Sequence, residues 1–356
     1  MQNFPENSPL HILVMRLSAM GDVILILPLL ERLCKSLPHA QVTFVVSESF
    51  YPLCYHLADD IEIIPIKKPK TINDYFKLYQ QFKNRTFDIL LACQASFRIN
   101  LIYPLISAKR KIGFDGKRAK DLHGLFTDEY IPFLAEHLAD SFQQFATYLK
   151  LPPQLIEWHF PENKSLQNEI THKLDTNKQW IALNPAASKK ERSHSEVFWI
   201  ELCALILKRT PYNIVLTGAS GAFELKRASN IAQALNQPDR VQNWVGQTSL
   251  EVLIELMRFV QCLIAPDTGT LHLCNAVKTP VIGLYAIASP ELSGPYNYQQ
   301  WVENVYPAAV RLFLHKDPSK VRWGTRVHHE KAMELIKVEP VFEKLLLCLS
   351  YYSKKH

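Results

Sequence analysis

Short apolar runs of the length of a buried strand alternate along this chain with stretches of helical length. Leu10–Leu17 (LHILVMRL), Val42–Val46, Ile61–Ile66 and Asp88–Ala92 read as strands. Val23–Leu37, Ile72–Phe82 and His137–Leu149 read as helices between or after them. A stretch from Leu151 to Lys164 carries Pro152, Pro153 and Pro161 and reads as a linker. The alternation then restarts. Trp180–Leu183, Asn213–Thr217, Leu263–Ala265 and Val281–Tyr285 are strand-like, and Glu196–Arg209, Phe223–Leu235, Ser249–Phe259 and Thr270–Val277 are helical. Strand–helix alternation argues for parallel sheets covered on both faces. The expected fold is therefore α/β, with two Rossmann-like doubly wound domains: residues 1–160 and 175–330, followed by a helix in 331–356 that packs back on the first domain. Ligands of open α/β sheets sit beyond the carboxyl ends of strands, so the expected site is a cleft between the halves.

A length of 356 residues suits two domains. With 47% hydrophobic and 21% charged residues, disordered, collagenous and coiled-coil classes are excluded. Glycine is scarce: 11 against 22 prolines, where ordinary usage would place about 25 glycines. Each is then expected where the backbone needs it. The seven cysteines show no CxxC spacing and read as reduced, mostly packed thiols. Net charge is +6, short of a dedicated nucleic-acid binder. The cations cluster, however. Lys109, Arg110, Lys111, Lys117, Arg118 and Lys120 face only Asp115, and Lys67, Lys68, Lys70, Lys77, Lys83 and Arg85 face only Asp74. Either run alone is ordinary solvated surface; two in one half suit an anionic partner or membrane surface. The start, MQNFPENSPL, has no basic n-region, so no signal peptide is expected. The longest apolar run, Val23–Leu30, is far short of the roughly 20 residues of a membrane span.

Missing motifs narrow the chemistry. The chain has no GxxxxGK[ST], no GxGxxG, no HExxH and no Asp-x-Asp. His328, His329 and Glu330 are adjacent, poor spacing for a metal, and read as surface. No metal and no cofactor are expected. Two strand-to-helix turns look chemical. In Arg16-Leu17-Ser18-Ala19-Met20-Gly21-Asp22, Gly21 allows a tight turn, and Asp22 is open to two readings: a helix cap, or a carboxylate able to take a proton. In Pro266-Asp267-Thr268-Gly269-Thr270-Leu271-His272, the start of a helix offers N–H groups to phosphate. Asp267 would repel that phosphate unless it is bonded aside. The loop Asn184–His194 adds Ser188, Lys189, Lys190 and Arg192, which would complete a diphosphate site.

Several segments resemble glycosyltransferase family 9, the ADP-heptose–lipopolysaccharide heptosyltransferases of the GT-B fold. They are ILVMRLSAMGDVILILPLL, LACQASFRINL, KIGFDGKRAKDLHGLFTDEYIP, NPAASKKERSH, VGQTSLEVLIELM and APDTGTLHLCNAVKTPVIGLY, in the family's order over about residues 11–297. The resemblance implies an inverting, metal-independent transfer of a heptose-type sugar from ADP-heptose to the inner core, on a lipid A–Kdo acceptor. It makes Asp22 the general base. It places Ser188, Arg192, Glu224, Thr248, Asp267, Thr268, Gly269 and His272 at the donor. It places Ser18, Gly21, Arg98, Lys111, Lys117, Arg118 and Lys120 on the acceptor side. The partners it implies are a nucleotide-sugar donor and an anionic glycolipid, with no nucleic acid. A cytoplasmic monomer in peripheral contact with the inner membrane is expected.

The chain departs from the family at three places. His194 stands where many members have Trp, Thr270 where Leu or Pro is usual, and Ala286-Ile287-Ala288 where Gly-Pro-Thr is usual. The altered loops at 189–194 and 286–289 bear on donor choice. Three alternatives stay open: the same fold moving another sugar, a GT-B-like nucleotide-sugar epimerase, and a degenerate, non-catalytic binding module.

Overall fold

The computed structural model describes residues 9–353; Met1–Ser8, which include most of the segment read for a signal peptide, and the Lys354–Lys355 tail lie outside them. The chain divides into two compact units, Met1–Trp158 and His159–His356.

The first unit runs β1 (His11–Met15), α1 (Met20–Ser36), β2 (Gln41–Ser47), β3 (Glu62–Ile66), α2 (Ile72–Phe82), β4 (Thr86–Leu91), α3 (Phe97–Asn100), β5 (Ser107–Phe114), β6 (Glu129–Ile131) and α4 (Leu138–Tyr148). Its sheet is wholly parallel in the order β3-β2-β1-β4-β5-β6. The central strands are buried on both faces, which is why Ile12–Met15 and Ile89–Leu91 are unbroken apolar runs. Helix α1 is buried from Val23 to Leu30 and contains Pro28. Proline has no N–H to give the carbonyl four residues back. That carbonyl, of Ile24, instead accepts from the indole Nε1 of Trp158 at 2.7 Å, so the unit's last residue repairs its first helix. Buried Arg32 of α1 likewise donates to the carbonyls of Gln143, Leu151 and Pro152, tying α4 and the following segment down.

The second unit runs α5 (Lys164–Lys173), β7 (Trp180–Leu183), α6 (Glu196–Arg209), β8 (Asn213–Leu216), α7 (Ala222–Leu235), β9 (Val241–Asn243), α8 (Leu250–Phe259), β10 (Cys262–Pro266), α9 (Gly269–Ala276), β11 (Val281–Tyr285), α10 (Pro290–Ser293), β12 (Glu303–Asn304), α11 (Tyr306–Ala309) and α12 (Val338–Ser353). Its parallel sheet is ordered β12-β11-β10-β7-β8-β9. Counted from its own first strand, this is the same 3-2-1-4-5-6 order, with the reversal between β7 and β10 as it lies between β1 and β4 in the first unit.

Three expectations need correcting here. The second domain, expected to begin at residue 175, already includes α5, a polar helix capped by Asn163 and docked on α8 through Glu255. Helix α12 buries Val341, Phe342, Leu345 and Cys348 in the second unit's own core, on α6, β11 and β12, where the sequence reading had placed it on the first. The basic run starting at Lys109, read by itself as solvated surface, opens on strand β5, where Arg110 and Lys111 are only partly exposed. All seven cysteines are free, and six are buried. Among the described residues no helix is long and apolar enough to cross a membrane.

Candidate functional site

In each unit the singled-out turn leaves a strand beside the point where strand order reverses. In the first, Arg16 and Leu17 follow β1, and α1 begins at Met20, so Gly21 and Asp22 lie inside its first turn. The Asp22 carboxylate caps this helix: its Oδ2 accepts from the backbone N–H of Ala19 at 3.1 Å. The same Oδ2 is ion-paired with Arg16. Arg16 also donates to the Cys93 carbonyl at 2.7 Å and lies over the Phe142 ring. Both Asp22 bonds use one oxygen. Oδ1 accepts none among the described residues, and the side chain is 26% exposed. The cap and base readings therefore do not exclude each other. One oxygen holds the turn; the other has no partner among the described residues.

The neighbouring strand end completes this turn. Gln94, just past β4, accepts from the N–H groups of Leu17 (2.8 Å) and Ser18 (3.3 Å) through Oε1 and donates from Nε2 to the Ser18 hydroxyl (3.2 Å). Arg16 and Gln94 were not singled out as site residues. Arg16 could have been, as the only charge at the end of an apolar strand. Gln94 is visible only once β4 is known to lie beside β1.

The basic stretch divides. Lys109 pairs with Asp88 at 2.7 Å, and Arg110 grips Glu129 with two nitrogens at 2.6 and 2.7 Å. Lys111 donates to the Tyr103 carbonyl at 2.9 Å, and burial lowers its pKa. Arg118, 4% exposed, is ion-paired with Asp115. It also donates to Ser141, Gln144 and the carbonyls of Ile131 and Pro132, and stacks on Phe114 and Phe133. Lys111 and Arg118 were expected to meet the acceptor; Arg118 is buried and its charge is spent on its partners, and Lys111, half-buried, is bonded to the Tyr103 carbonyl. Arg98, Lys117 and Lys120 stand on the surface, Lys117 over the Phe133 ring. His123 is buried against Tyr103 and Phe114. Its Nε2 accepts from Phe114 N–H at 3.2 Å, Nδ1 meets the Asn100 amide oxygen at 2.9 Å, and burial lowers its pKa to about 4.

In the second unit Asp267 follows β10, Thr268 is the N-cap of α9, and no side chain caps that helix. Gly269, Thr270 and Leu271 supply its first N–H groups. The Thr268 hydroxyl is buried without a hydrogen bond. Asp267 is held aside, as a phosphate site at this turn would require. Its Oδ2 lies 3.1 Å from Arg192, and His272 Nε2 stands 3.9 Å from Oδ1. The Nε of Arg192 is buried without a partner. The Thr270 hydroxyl is turned inward, accepting from Asn184 Nδ2 at 3.0 Å across the β7–β10 reversal.

Glu224 lies in the first turn of α7. Its Oε2 accepts from Ala219 N–H at 2.6 Å, and burial raises its pKa. It packs against Gly218, where an added Cβ would stand 3.1 Å from that oxygen. Gly246 has φ +72°, and its N–H donates to the Gly218 carbonyl at 3.0 Å, which seats the turn carrying Thr248 beside the Glu224 turn. Ser188 is exposed in the loop after β7. Arg227, which sequence reading missed, anchors that loop through the carbonyls of Pro185 and His194.

The atypical positions are structural. His194 stacks on Phe198 at 3.8 Å, accepts from Ser195 N–H and meets the Ile336 carbonyl at 3.1 Å; burial lowers its pKa to about 4. It fills an aromatic's place with a ring that also bonds. Ala286, Ile287 and Ala288 are buried, the first two in the core cluster. Among the described residues no group of three or more His, Cys, Asp or Glu could hold a metal.

The profile of glycosyltransferase family 9 (heptosyltransferase) matches residues 75–308. The lipopolysaccharide core heptosyltransferase OpsX of Haemophilus influenzae is 29% identical over 340 residues, covering 95% of this chain and 96% of that protein. A family 9 glycosyltransferase of Veillonella parvula superposes with a TM-score of 0.79 at 19% identity, covering 98% of this chain and all of the other. The ADP-heptose LPS heptosyltransferase II of Escherichia coli superposes at 0.73 with 18% identity, covering 97% and 100%. These two likenesses concern the fold: two parallel six-stranded sheets with helices.

Proposed function

Because this chain belongs to glycosyltransferase family 9, the heptosyltransferases, we propose that it moves heptose from ADP-heptose to an inner-core sugar of a lipid A–Kdo acceptor, with inversion and without a metal. It is a glycosyltransferase of the lipopolysaccharide-core heptosyltransferase family; the donor, the acceptor and the stereochemistry are our reading.

The observation that carries it is the half-used carboxylate of Asp22, one oxygen locked by Ala19 and Arg16 and the other open. In the reading, Oδ1 takes the proton of the acceptor hydroxyl as that oxygen bonds to the anomeric carbon. The bond from that carbon to the β-phosphate oxygen breaks on the opposite face, and ADP leaves. A single displacement inverts the centre. The charge that develops on the diphosphate is met by the uncapped N–H groups of α9, the Thr268 hydroxyl and Arg192, a preorganised set of donors of the kind that usually supplies the largest catalytic contribution. Glu224 accepts a ribose hydroxyl, Ser188 and Thr248 line the nucleotide, and His272 and Gly269 complete the sugar–phosphate turn. The first unit takes the acceptor, with Ser18, Gly21, Arg98, Lys117 and Lys120 toward its anionic groups. The protein works as a monomer, peripheral to the cytoplasmic face of the inner membrane.

The test is Asp22→Asn assayed with ADP-heptose and Kdo–lipid A, products read by mass. Turnover should fall about 10²–10⁴-fold while ADP binding persists. Full activity in that variant, or product without acceptor, removes the reading.

A further inference from the structure

Three segments of the first unit leave large apolar side chains in solvent beside cations. On α2, Ile72, Phe76 and Tyr79 follow an i, i+4, i+7 spacing and so share one stripe. Ile72 is 89% and Phe76 57% exposed. The same helix buries Leu78 and Phe82 in the core, so its folding does not require the exposed stripe. Phe97 opens α3, and Leu122 and Leu125 lie between β5 and β6; all three are exposed, Leu125 by 73%.

Hydrogen bonds join the segments into one surface. The Tyr75 hydroxyl donates to the Arg98 carbonyl at 2.9 Å, Phe97 N–H to Asp121 Oδ2 at 3.0 Å, and Asn100 Nδ2 to the carbonyls of Lys120 and Asp121 at 3.0 and 2.8 Å. Lys67, Lys68 and Lys70 precede α2, and Arg98 and Lys120 stand in the other two segments. All five are exposed, and none has an ion pair among the described residues. Each segment follows the end of a strand: β3, β4 or β5. The sheet is parallel, so all three start from its carboxyl edge, the edge that carries Asp22.

We infer that this face docks the protein on an anionic bilayer. Ile72, Phe76, Phe97 and Leu125 enter the boundary between headgroups and acyl chains, and the lysines meet lipid phosphates. An acidic protein would answer the lysines and leave the apolar side chains unexplained. A second copy in a two-fold contact would set the same cations against one another. Docking in this orientation brings the Asp22 turn to the plane where a membrane-anchored acceptor presents its sugars. That purpose rests on the proposed acceptor; the docking itself does not.

The test is cosedimentation of the full chain with vesicles of phosphatidylglycerol and phosphatidylethanolamine, against phosphatidylcholine alone. Binding should favour the anionic vesicles at least tenfold and weaken with salt. Ile72→Ser/Phe76→Ser should weaken it on the order of tenfold, and Lys67→Glu/Lys68→Glu/Lys70→Glu should abolish it. Both variants should melt like the parent and turn over a deacylated, soluble acceptor unchanged. Failure of the parent to bind, or equal binding by both variants, overturns the inference. So does sedimentation velocity showing self-association that Phe76→Ser abolishes while vesicle binding persists. A chain that binds vesicles as described but transfers no sugar would refute the transferase reading and leave the docking face standing.

Discussion

Each unit places an aspartate beside the reversal of its sheet, and the two are held in opposite ways. Asp22 is the third residue of its helix and reaches back to cap it, so one oxygen is fixed and the other is open. Asp267 stands just before its helix, with Arg192 on one oxygen and His272 near the other, and the helix N-terminus is left without a side-chain cap. The same side chain thus keeps one oxygen without a partner in the first unit and leaves a helix N-terminus uncapped in the second. What decides is whether the carboxylate sits inside the first turn, where it satisfies the helix, or outside it, where cations draw it away.

Four changes would break or sharpen that contrast. Asp22→Asn keeps the cap's shape but removes the proton acceptor, so kcat should fall about 10²–10⁴-fold with ADP affinity intact. Asp267→Asn should act the other way, altering donor KM and affinity more than the acceptor's, as parallel titrations of both substrates would reveal. Arg192→Met should lower kcat about 10²-fold, the scale of one lost oxyanion donor, and leave Asp267 facing the diphosphate; unchanged kcat would exclude Arg192 from the leaving-group site. Arg118→Met tests the reassignment of that residue. Stranding Asp115 should cost about 3–5 kcal/mol in urea unfolding, while acceptor KM in the folded fraction stays the same.

The two units also share a pH response. His123 and His194 are both neutral when folded, with pKa values near 4. Above the unfolded value of about 6.5 neither state is protonated and nothing is lost. As pH falls from there toward 4 the unfolded chain binds protons that the folded one refuses. Stability should then drop by up to about 3 kcal/mol per histidine. His194→Phe, keeping the stack on Phe198, should remove that dependence from the second unit alone, as melts between pH 7 and pH 4 would record. The smallest effect expected is Trp158→Phe, which strands the Ile24 carbonyl at about 1–3 kcal/mol; an unshifted melting curve would mean that water takes over the bond.

Elements whose own sequence carries their reason for forming were legible. The strand Trp180–Leu183 and the helices Ile72–Phe82 and Glu196–Arg209 have the predicted bounds, because continuous burial or a 3.6-residue period marks them locally. Strand β5 was not legible. Its Lys109, Arg110 and Lys111 read as surface charge until Asp88, Glu129 and the Tyr103 carbonyl arrive from other elements to receive them. Helix α5 is polar and shows no period strong enough to declare itself.

The site divides along the same line. Sequence alone determined that Asp22 and the Asp267–His272 turn lie at strand-to-helix junctions, since glycine, aspartate and the apolar runs around them are neighbours in the chain. Only tertiary structure decided what each carboxylate is free to do. Gln94 and the Cys93 carbonyl meet the Asp22 turn because β4 lies beside β1, and Arg192 reaches Asp267 because β7 lies beside β10. A side chain's local spacing fixes where it starts; which of its atoms are bonded is settled by partners that the fold brings from far along the chain.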